Sequence, residues 1–498
     1  MGVVFVFLVF LAIFTGLMCL ARNYRKIMLN IPAPEALPII GHAHLMIGLN
    51  NEEQLKLITE LCFLYPNLVK IWFFHIMGII VNNPELIQKV FNAEVCMEKP
   101  YIAYRLFNLD NGLLSSRYPR WKHDRRFFNN SFKLSTLQTF IPIFIETADK
   151  LTSEITGYVD GKPFNILDHT IRCTLKMICS TSLGMKISDA ENEETFKKVF
   201  HAVEYTSESA ALLQNKPLIY PDTIYKITPR YFENEKQGQF LADFHQRIID
   251  ERRAVLRNNN NNKTDGTSGD SSDPGYSIFI DHILNNEGMF TDREIRDHII
   301  TVLSAGYETS ATATAHCILL LAQHQNVQNR LVEEINEVFG ADEEINLESL
   351  NKLQYMERVI KETLRIAPVG PVIFRETMAD FELEKGLIIP KGTTFILNIY
   401  ALHRRKDIWG EKAEIFDPDN FLPENVAKRH PCSFIPFSTG RRNCIGHRYA
   451  MISMKIILTK LLRNFKFSTD LKYEDMRFKA VLTLKLCTEH LVSITNRY

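Results

Sequence analysis

Near the C-terminus one cysteine stands in the run Phe437-Ser438-Thr439-Gly440-Arg441-Arg442-Asn443-Cys444-Ile445-Gly446, with two glycines, an arginine and an aromatic at fixed offsets. A thiolate that ligates haem iron must be kept deprotonated, shielded from water, and presented by backbone flat enough to lie against a porphyrin face. Each residue type in the run answers one of those needs. Gly440 and Gly446 carry no Cβ to strike a macrocycle or the following helix. Phe437 can cover the sulfur, and Arg442 can pair with a propionate. A helix begun by Ile445 would aim its N-terminal N–H groups at the sulfur. One cysteine among 9 is, taken alone, ordinary packing. The matched neighbours change that reading, because the run has the layout of a haem-thiolate loop.

The same pattern, F-x-x-G-x-R-x-C-x-G, resembles the cysteine loop of the cytochromes P-450, and other motifs extend the resemblance along the whole chain. Thr291-Asp292-Arg293-Glu294 is a capping box opening a helix without a break until about Gln323. In its middle, Ala305-Gly306-Tyr307-Glu308-Thr309-Ser310 matches the family's oxygen-activation segment A-G-x-[DE]-T-[ST]. A glycine inside a helix costs about 1 kcal/mol relative to alanine, so Gly306 is expected to leave room for oxygen over the haem. Thr309 and Glu308 are the expected proton-handling pair. On its own, Thr309 could equally bond back to a carbonyl four residues earlier.

Glu362 and Arg365 stand at i and i+3, just before Pro368 ends their helix. Such pairs usually decorate a surface; here E-x-x-R matches the family's buried ion pair. The family completes it with an arginine where this chain has Asn420. Trp121 and Arg125 match W-x-x-x-R, which implies two groups reaching one propionate, and Arg375 stands where the family often places another propionate ligand. The stretches Phe416-Asp417-Pro418-Asp419-Asn420-Phe421 and Arg429-His430-Pro431 are similar to the fatty-acid ω-hydroxylase clan and its insect relatives. Many of that clan carry, at the position of Ala305, a glutamate that esterifies a haem methyl. Alanine cannot, so the implied haem is non-covalent, with Cys444 as its axial thiolate.

From Gly2 to Ala21 no residue is charged. That is long enough to span a bilayer, which takes roughly 20 apolar residues. A cleaved signal peptide would show basic residues before the apolar core and a small-x-small site after it. Neither is evident. Instead Arg22, Arg25 and Lys26 follow, which places the body on the cytoplasmic side. The expected organisation is a transmembrane anchor at 1–21, a basic and proline-rich hinge at 22–41, and a catalytic domain at 42–498 with a mobile polar loop at 258–275. Strand-like runs at 68–81 and 372–397 flank helical periodicity from about Asp124 to Leu364, so the fold class is mainly α with a small β region. Lys+Arg 58 against Asp+Glu 58 gives no global charge to attract nucleic acid.

The resemblance implies a haem-thiolate monooxygenase of the endoplasmic reticulum membrane, acting on O2 and a hydrophobic small molecule. No flavin or nicotinamide motif is present. Electrons would come from NADPH–cytochrome P-450 reductase, with cytochrome b5 a candidate second donor. Arg125, Arg126, Arg441, Arg448 and Lys455 are candidates for the docking patch. The expected pocket lining is 101–107, Ser304, Ala305, 372–374 and 481–483. Two rivals stand: an isomerase or dehydratase of the same fold that needs no external electrons, and a haem-based sensor.

Overall fold

The protein is described by a computed structural model covering residues 29–38, 40–73, 76–104, 112–185, 194, 197–199, 201–206, 208–209, 225–264, 278–286, 288–340 and 344–497. The anchor expected at 1–21 and the basic part of the hinge lie outside these residues. Among those described, no helix is long and apolar enough to cross a membrane.

Helix α1 (Asn51–Leu64) starts where Asn50 and Glu53 satisfy each other's backbone N–H groups. Strands β1 (Leu68–Phe73) and β2 (Ile76–Val81) follow as an antiparallel pair in the register Leu68↔Val81. Helix α2 (Pro84–Asn92) begins with proline in its first turn, where the missing N–H would have no helical partner anyway. Helices α3 (Arg120–Phe128), α4 (Ile141–Ile155), α5 (Ile166–Leu183), α6 (Pro229–Thr264), α7 (Asp292–Gln323) and α8 (Gln354–Ile366) form the body. Strands β3 (Val372–Glu376) and β4 (Thr394–Asn398) complete a four-stranded sheet in the order β1-β2-β4-β3. β4 lies parallel to β2 and antiparallel to β3. Helix α9 (His447–Asn464) follows the cysteine loop, and β5 (Phe478–Ala480) with β6 (Leu484–Leu486) makes an antiparallel hairpin near the end.

The capping box of α7 is formed as expected: Glu294 Oε2 accepts from Thr291 N–H at 2.7 Å while Thr291 Oγ1 accepts from Glu294 N–H. At about 1.5 Å per residue its 32 residues run roughly 48 Å, through the middle of the core. Every residue from Ser310 to Ala322 is buried. Helix α5 crosses it closely enough for Thr174 Oγ1 to donate to the Tyr307 carbonyl at 2.9 Å and Thr170 Oγ1 to that of Ala311 at 3.2 Å. Tyr449 of α9 completes this layer, edge-on to Phe144 of α4 and hydrogen-bonded to Thr181 of α5 at 3.1 Å.

One boundary differs from expectation. The polar tract expected as a loop from 258 is helical through Thr264, because extending a helix already nucleated at Pro229 costs only the modest propensity penalty of each asparagine. The remainder of that tract lies outside the described residues.

Candidate active site

The cysteine loop is a set of tight turns that place one sulfur at the start of α9. Cys444 N–H donates to the Phe437 carbonyl at 2.9 Å, and Asn443 N–H to that of Gly440 at 3.2 Å. Gly440 takes φ +73° and presses on the end of α2, where a Cβ would collide with the Phe91 carbonyl. Its glycine therefore serves a protein–protein approach rather than clearance for a macrocycle. The helix starts two residues later than expected, with Gly446 as N-cap and His447 as its first residue. The N–H groups of Gly446 and His447 still reach the sulfur. Phe437 lies half-buried with its ring 4.1 Å from that of His447. Cys444 is exposed on one side, whereas the crowding of protein around it pushes its thiol pKa up. The two N–H groups and the charges of Arg125 and Lys99 pull the other way.

Cations gather beside this thiol. Arg442 is buried with its guanidinium 4.5 Å from the Trp121 ring and Nη2 donating to the Ser116 carbonyl. Its Nε and Nη1 are buried without a partner. Burial, with Arg375 next to it, lowers its pKa to about 9. Arg375, from β3, donates to the Phe374 carbonyl at 2.8 Å and, more weakly, to the Arg442 carbonyl at 3.3 Å. Lys99 stands over the Tyr104 ring at 4.2 Å; burial and the two arginines hold its pKa well below the ordinary lysine value. It forms no ion pair among the described residues. Buried N–H groups without acceptors, on a cluster of cations beside a thiol, are complementary to a dicarboxylate macrocycle with a metal centre. The residues present therefore fit haem.

Two expected contacts fall differently. Arg125 turns to the loop itself, donating to Asn443 O at 2.7 Å, Asn443 Oδ1 at 2.9 Å and Asn129 Oδ1 at 3.0 Å. Gly306 does not open space for a ligand; a Cβ there would sit 2.8 Å from Ile178 Cδ1, so the glycine admits α5. Ala305 is the exposed position of that turn. Thr309 Oγ1 donates to the Ala305 carbonyl at 2.6 Å, the back-bonded arrangement open to any helical threonine. Glu308 is held by the β5–β6 hairpin, where Thr483 Oγ1 donates to Oε1 at 3.0 Å and Lys485 Nζ lies 3.5 Å away.

Behind the loop, Glu362 and Arg365 form the buried pair, both 0% exposed, with Nε–Oε2 2.8 Å and Nη2–Oε1 2.6 Å. Asn420 donates its amide to Glu362 Oε1 at 3.1 Å, where the family's arginine was expected. The second cation comes instead from Arg429, which stacks 4.2 Å over Trp409, donates to the Asn420 carbonyl and acts electrostatically on Glu362. Among the docking candidates, Lys455 is withdrawn: it is buried, donating to the Leu350 carbonyl at 2.9 Å and 3.2 Å from Glu357. Arg126, Arg441 and Arg448 are exposed. Lys99, Arg429 and the Thr483–Lys485 clamp were not anticipated from sequence.

The family model for cytochrome P450 matches residues 31–490. The chain belongs to the cytochrome P450 family. Its relatives include probable cytochrome P450 313a1 of Drosophila melanogaster, 33% identical over 473 residues that cover 93% of both chains. Cytochrome P450 4c21 of Blattella germanica is 33% identical over 462 residues, 91% of both chains. Cytochrome P450 4c3 of Drosophila melanogaster is 30% identical over 488 residues, 95% of this chain and 90% of that one. Members of this family are haem-thiolate monooxygenases, and this chain is an enzyme of that class.

Proposed function

We propose that this P450 is a membrane-anchored monooxygenase that inserts one oxygen atom of O2 into a hydrophobic small molecule, on the cytoplasmic face of the endoplasmic reticulum. The observation that carries the reading is the pair of unpartnered, buried guanidinium nitrogens of Arg442 beside Cys444. The haem, when bound, supplies the oxygen activation and C–H chemistry. What the chain does around it follows from its residues. Cys444 Sγ would hold the metal, whose own charge would favour the thiolate; the N–H groups of Gly446 and His447 and the charges of Arg125 and Lys99 offset only part of the burial that raises its pKa. Arg442, Arg375 and Lys99 would take the propionates, which would relieve the repulsion among themselves. Trp121 backs Arg442, and Arg125 fixes the loop through Asn443. Phe437 and Ala305 would offer the cofactor apolar surface, and Ala305 would leave it without an ester link.

Glu308 relays protons between water and the site, and Thr309 Oγ1 orders the acceptor once it turns from the Ala305 carbonyl. Electrons come from NADPH–cytochrome P-450 reductase, with cytochrome b5 as a second donor, and Arg126, Arg441 and Arg448 are the charges available for docking. The uncharged run Gly2–Ala21 followed by Arg22, Arg25 and Lys26 supports the anchor and its orientation.

Reconstitution with reductase and NADPH in lipid, against a panel of fatty acids, terpenoids and xenobiotics, tests this. Substrate-dependent NADPH and O2 consumption with an oxygenated product is expected. Turnover of a lipid hydroperoxide without NADPH, and none of the panel oxidised with it, would favour the isomerase or dehydratase reading instead.

A further inference from the structure

Charged side chains from three distant segments meet where the C-terminal hairpin lies on α7. Glu308 contributes from the helix, Lys485 and Thr483 from the hairpin, and Glu204 from the helical stretch 201–206. One oxygen of Glu308 takes both the Thr483 hydroxyl at 3.0 Å and the Lys485 ammonium at 3.5 Å. The Lys485 charge also acts on Glu204, whose carboxyl is pushed up by burial and by the like charges of Glu208 and Glu308. Lys485 is thus the cation shared by two carboxylates that would otherwise repel. Its side chain is 33% exposed and that of Glu308 13%, so the lysine is the more solvent-accessible member of the pair.

Neighbouring positions on a helix point about 100° apart, so Glu308 and Thr309 cannot both address one acceptor without a rotamer change. Here both are occupied elsewhere, Thr309 by the Ala305 carbonyl and Glu308 by the hairpin. We propose that Lys485 is a positioning residue for proton delivery: with Thr483 it holds the Glu308 carboxylate on the hairpin until a proton from solvent hydronium, which leaves as water, neutralises the charge that binds it there. The carboxyl then leaves the hairpin and passes that proton toward Thr309. This rests on the proton role assigned to Glu308 above. Without Lys485, Glu308 loses its fixed loading point and faces Glu204 unscreened, so delivery falters and reducing equivalents drain to hydrogen peroxide.

The test uses the reconstituted holoenzyme carrying Lys485→Met, Lys485→Arg, Glu308→Gln, and Glu308→Gln with Lys485→Met. Product formed per NADPH should fall at least about threefold in Lys485→Met, recover in Lys485→Arg, and show no further loss when Lys485→Met is added to Glu308→Gln. Hydrogen exchange of amides 478–486 in the resting ferric protein should quicken in both single variants that break the contact. Faster exchange with an unchanged product ratio in Lys485→Met would make the lysine a mere staple and overturn the proposal. An undiminished effect of Lys485→Met in the Glu308→Gln background would overturn it too, by showing that Lys485 acts on something else. If Glu308→Gln alone kept the full ratio, the proton role of Glu308 would fall, and this proposal with it.

Discussion

Replacing Arg365 by methionine should prevent this protein from accumulating with haem. The guanidinium is fully buried and every N–H is used: two on Glu362, two from Nη1 to the carbonyls of His403 at 3.0 Å and Ala413 at 2.5 Å, and one from Nη2 to that of Ile415 at 2.9 Å. Removing it leaves Glu362 as a buried carboxylate with, among the described residues, only the Asp417 N–H and the Asn420 amide as donors. Breaking a buried pair from one side costs about 3–5 kcal/mol. Three orphaned carbonyls add about 1 kcal/mol or more each. The sum rivals the roughly 5–15 kcal/mol by which a folded protein is stable at all. Arg365→Lys should fail nearly as badly, because one ammonium cannot reach acceptors spread around a planar fork. Glu362→Gln should be milder, since the three carbonyls keep their donors. Soluble yield, haem per chain and thermal unfolding in the same preparations would report this. Full haem content in Arg365→Met, with an unfolding temperature within about 2 °C of the parent, would refute it.

Cys444→Ser should abolish the red-shifted Soret band of the reduced carbon monoxide complex; a retained band would mean another cysteine ligates. Thr309→Ala should keep that band yet divert NADPH into hydrogen peroxide, at a cost to product of about a hundredfold where a positioned proton-transfer group is lost; an unchanged product ratio would leave Thr309 as a back-bonded packing residue. Gly306→Ala should destabilise by about 1–3 kcal/mol, because the clash with Ile178 outweighs the helix-propensity gain. In an Ile178→Ala background the same change should become stabilising in a denaturant titration, and failure of that sign change would remove the packing explanation. Burial lowers the pKa of His245, His298 and His490 to about 4. The unfolded chain binds those protons near pH 6.5, so their stability contribution is complete above about pH 6.5 and is lost as pH falls toward 4. Unfolding temperature should decline across that window, and His245→Leu should flatten the decline; an unaltered slope would exclude His245 from it.

The parts of the site legible in the sequence are those whose cause is local. The cysteine loop and the capping box at Thr291 depend on residues within a turn or two of one another, so spacing carried their geometry; for the E-x-x-R pair spacing gave the contact, and only the family resemblance gave its burial. The missed parts are contacts across long chain separations. Lys485 meets Glu308 across the core, Arg429 replaces an arginine nine positions earlier by stacking on Trp409, and Lys99 joins Arg442 from a stretch without any motif. Gly306 was found but misread, since a sequence shows that a helix wants a small residue without showing which neighbour demands it. Gly440 is the same case: the need for glycine was visible, and the Phe91 carbonyl that imposes it was not.

The ion pair and the cysteine loop are better regarded as one structure. Arg365 anchors the His403 carbonyl, and the Nε2 of His403 accepts the Ile435 N–H at 3.1 Å. The Ile435 carbonyl accepts from Ser438 N–H at 2.9 Å, and the Phe437 carbonyl between them accepts from Cys444. A continuous run of short contacts thus leads from α8 to the sulfur. His403 can act as acceptor only while neutral, and burial beside Arg365 and Arg404 lowers its pKa to about 3, which keeps it so. A buried ion pair is by itself weak evidence of stability, because a packed apolar pair of equal volume often does as well. That argument fails at this position. An apolar pair would leave the carbonyls of His403, Ala413 and Ile415 without donors, so the arginine is required by the backbone it holds, and Glu362 is required to make the arginine tolerable there. Asn420 then follows naturally. With Arg429 already supplying positive charge near Glu362, the neutral amide adds a third donor to Oε1, beside Arg365 Nη2 and the Asp417 N–H, without burying a third full cation.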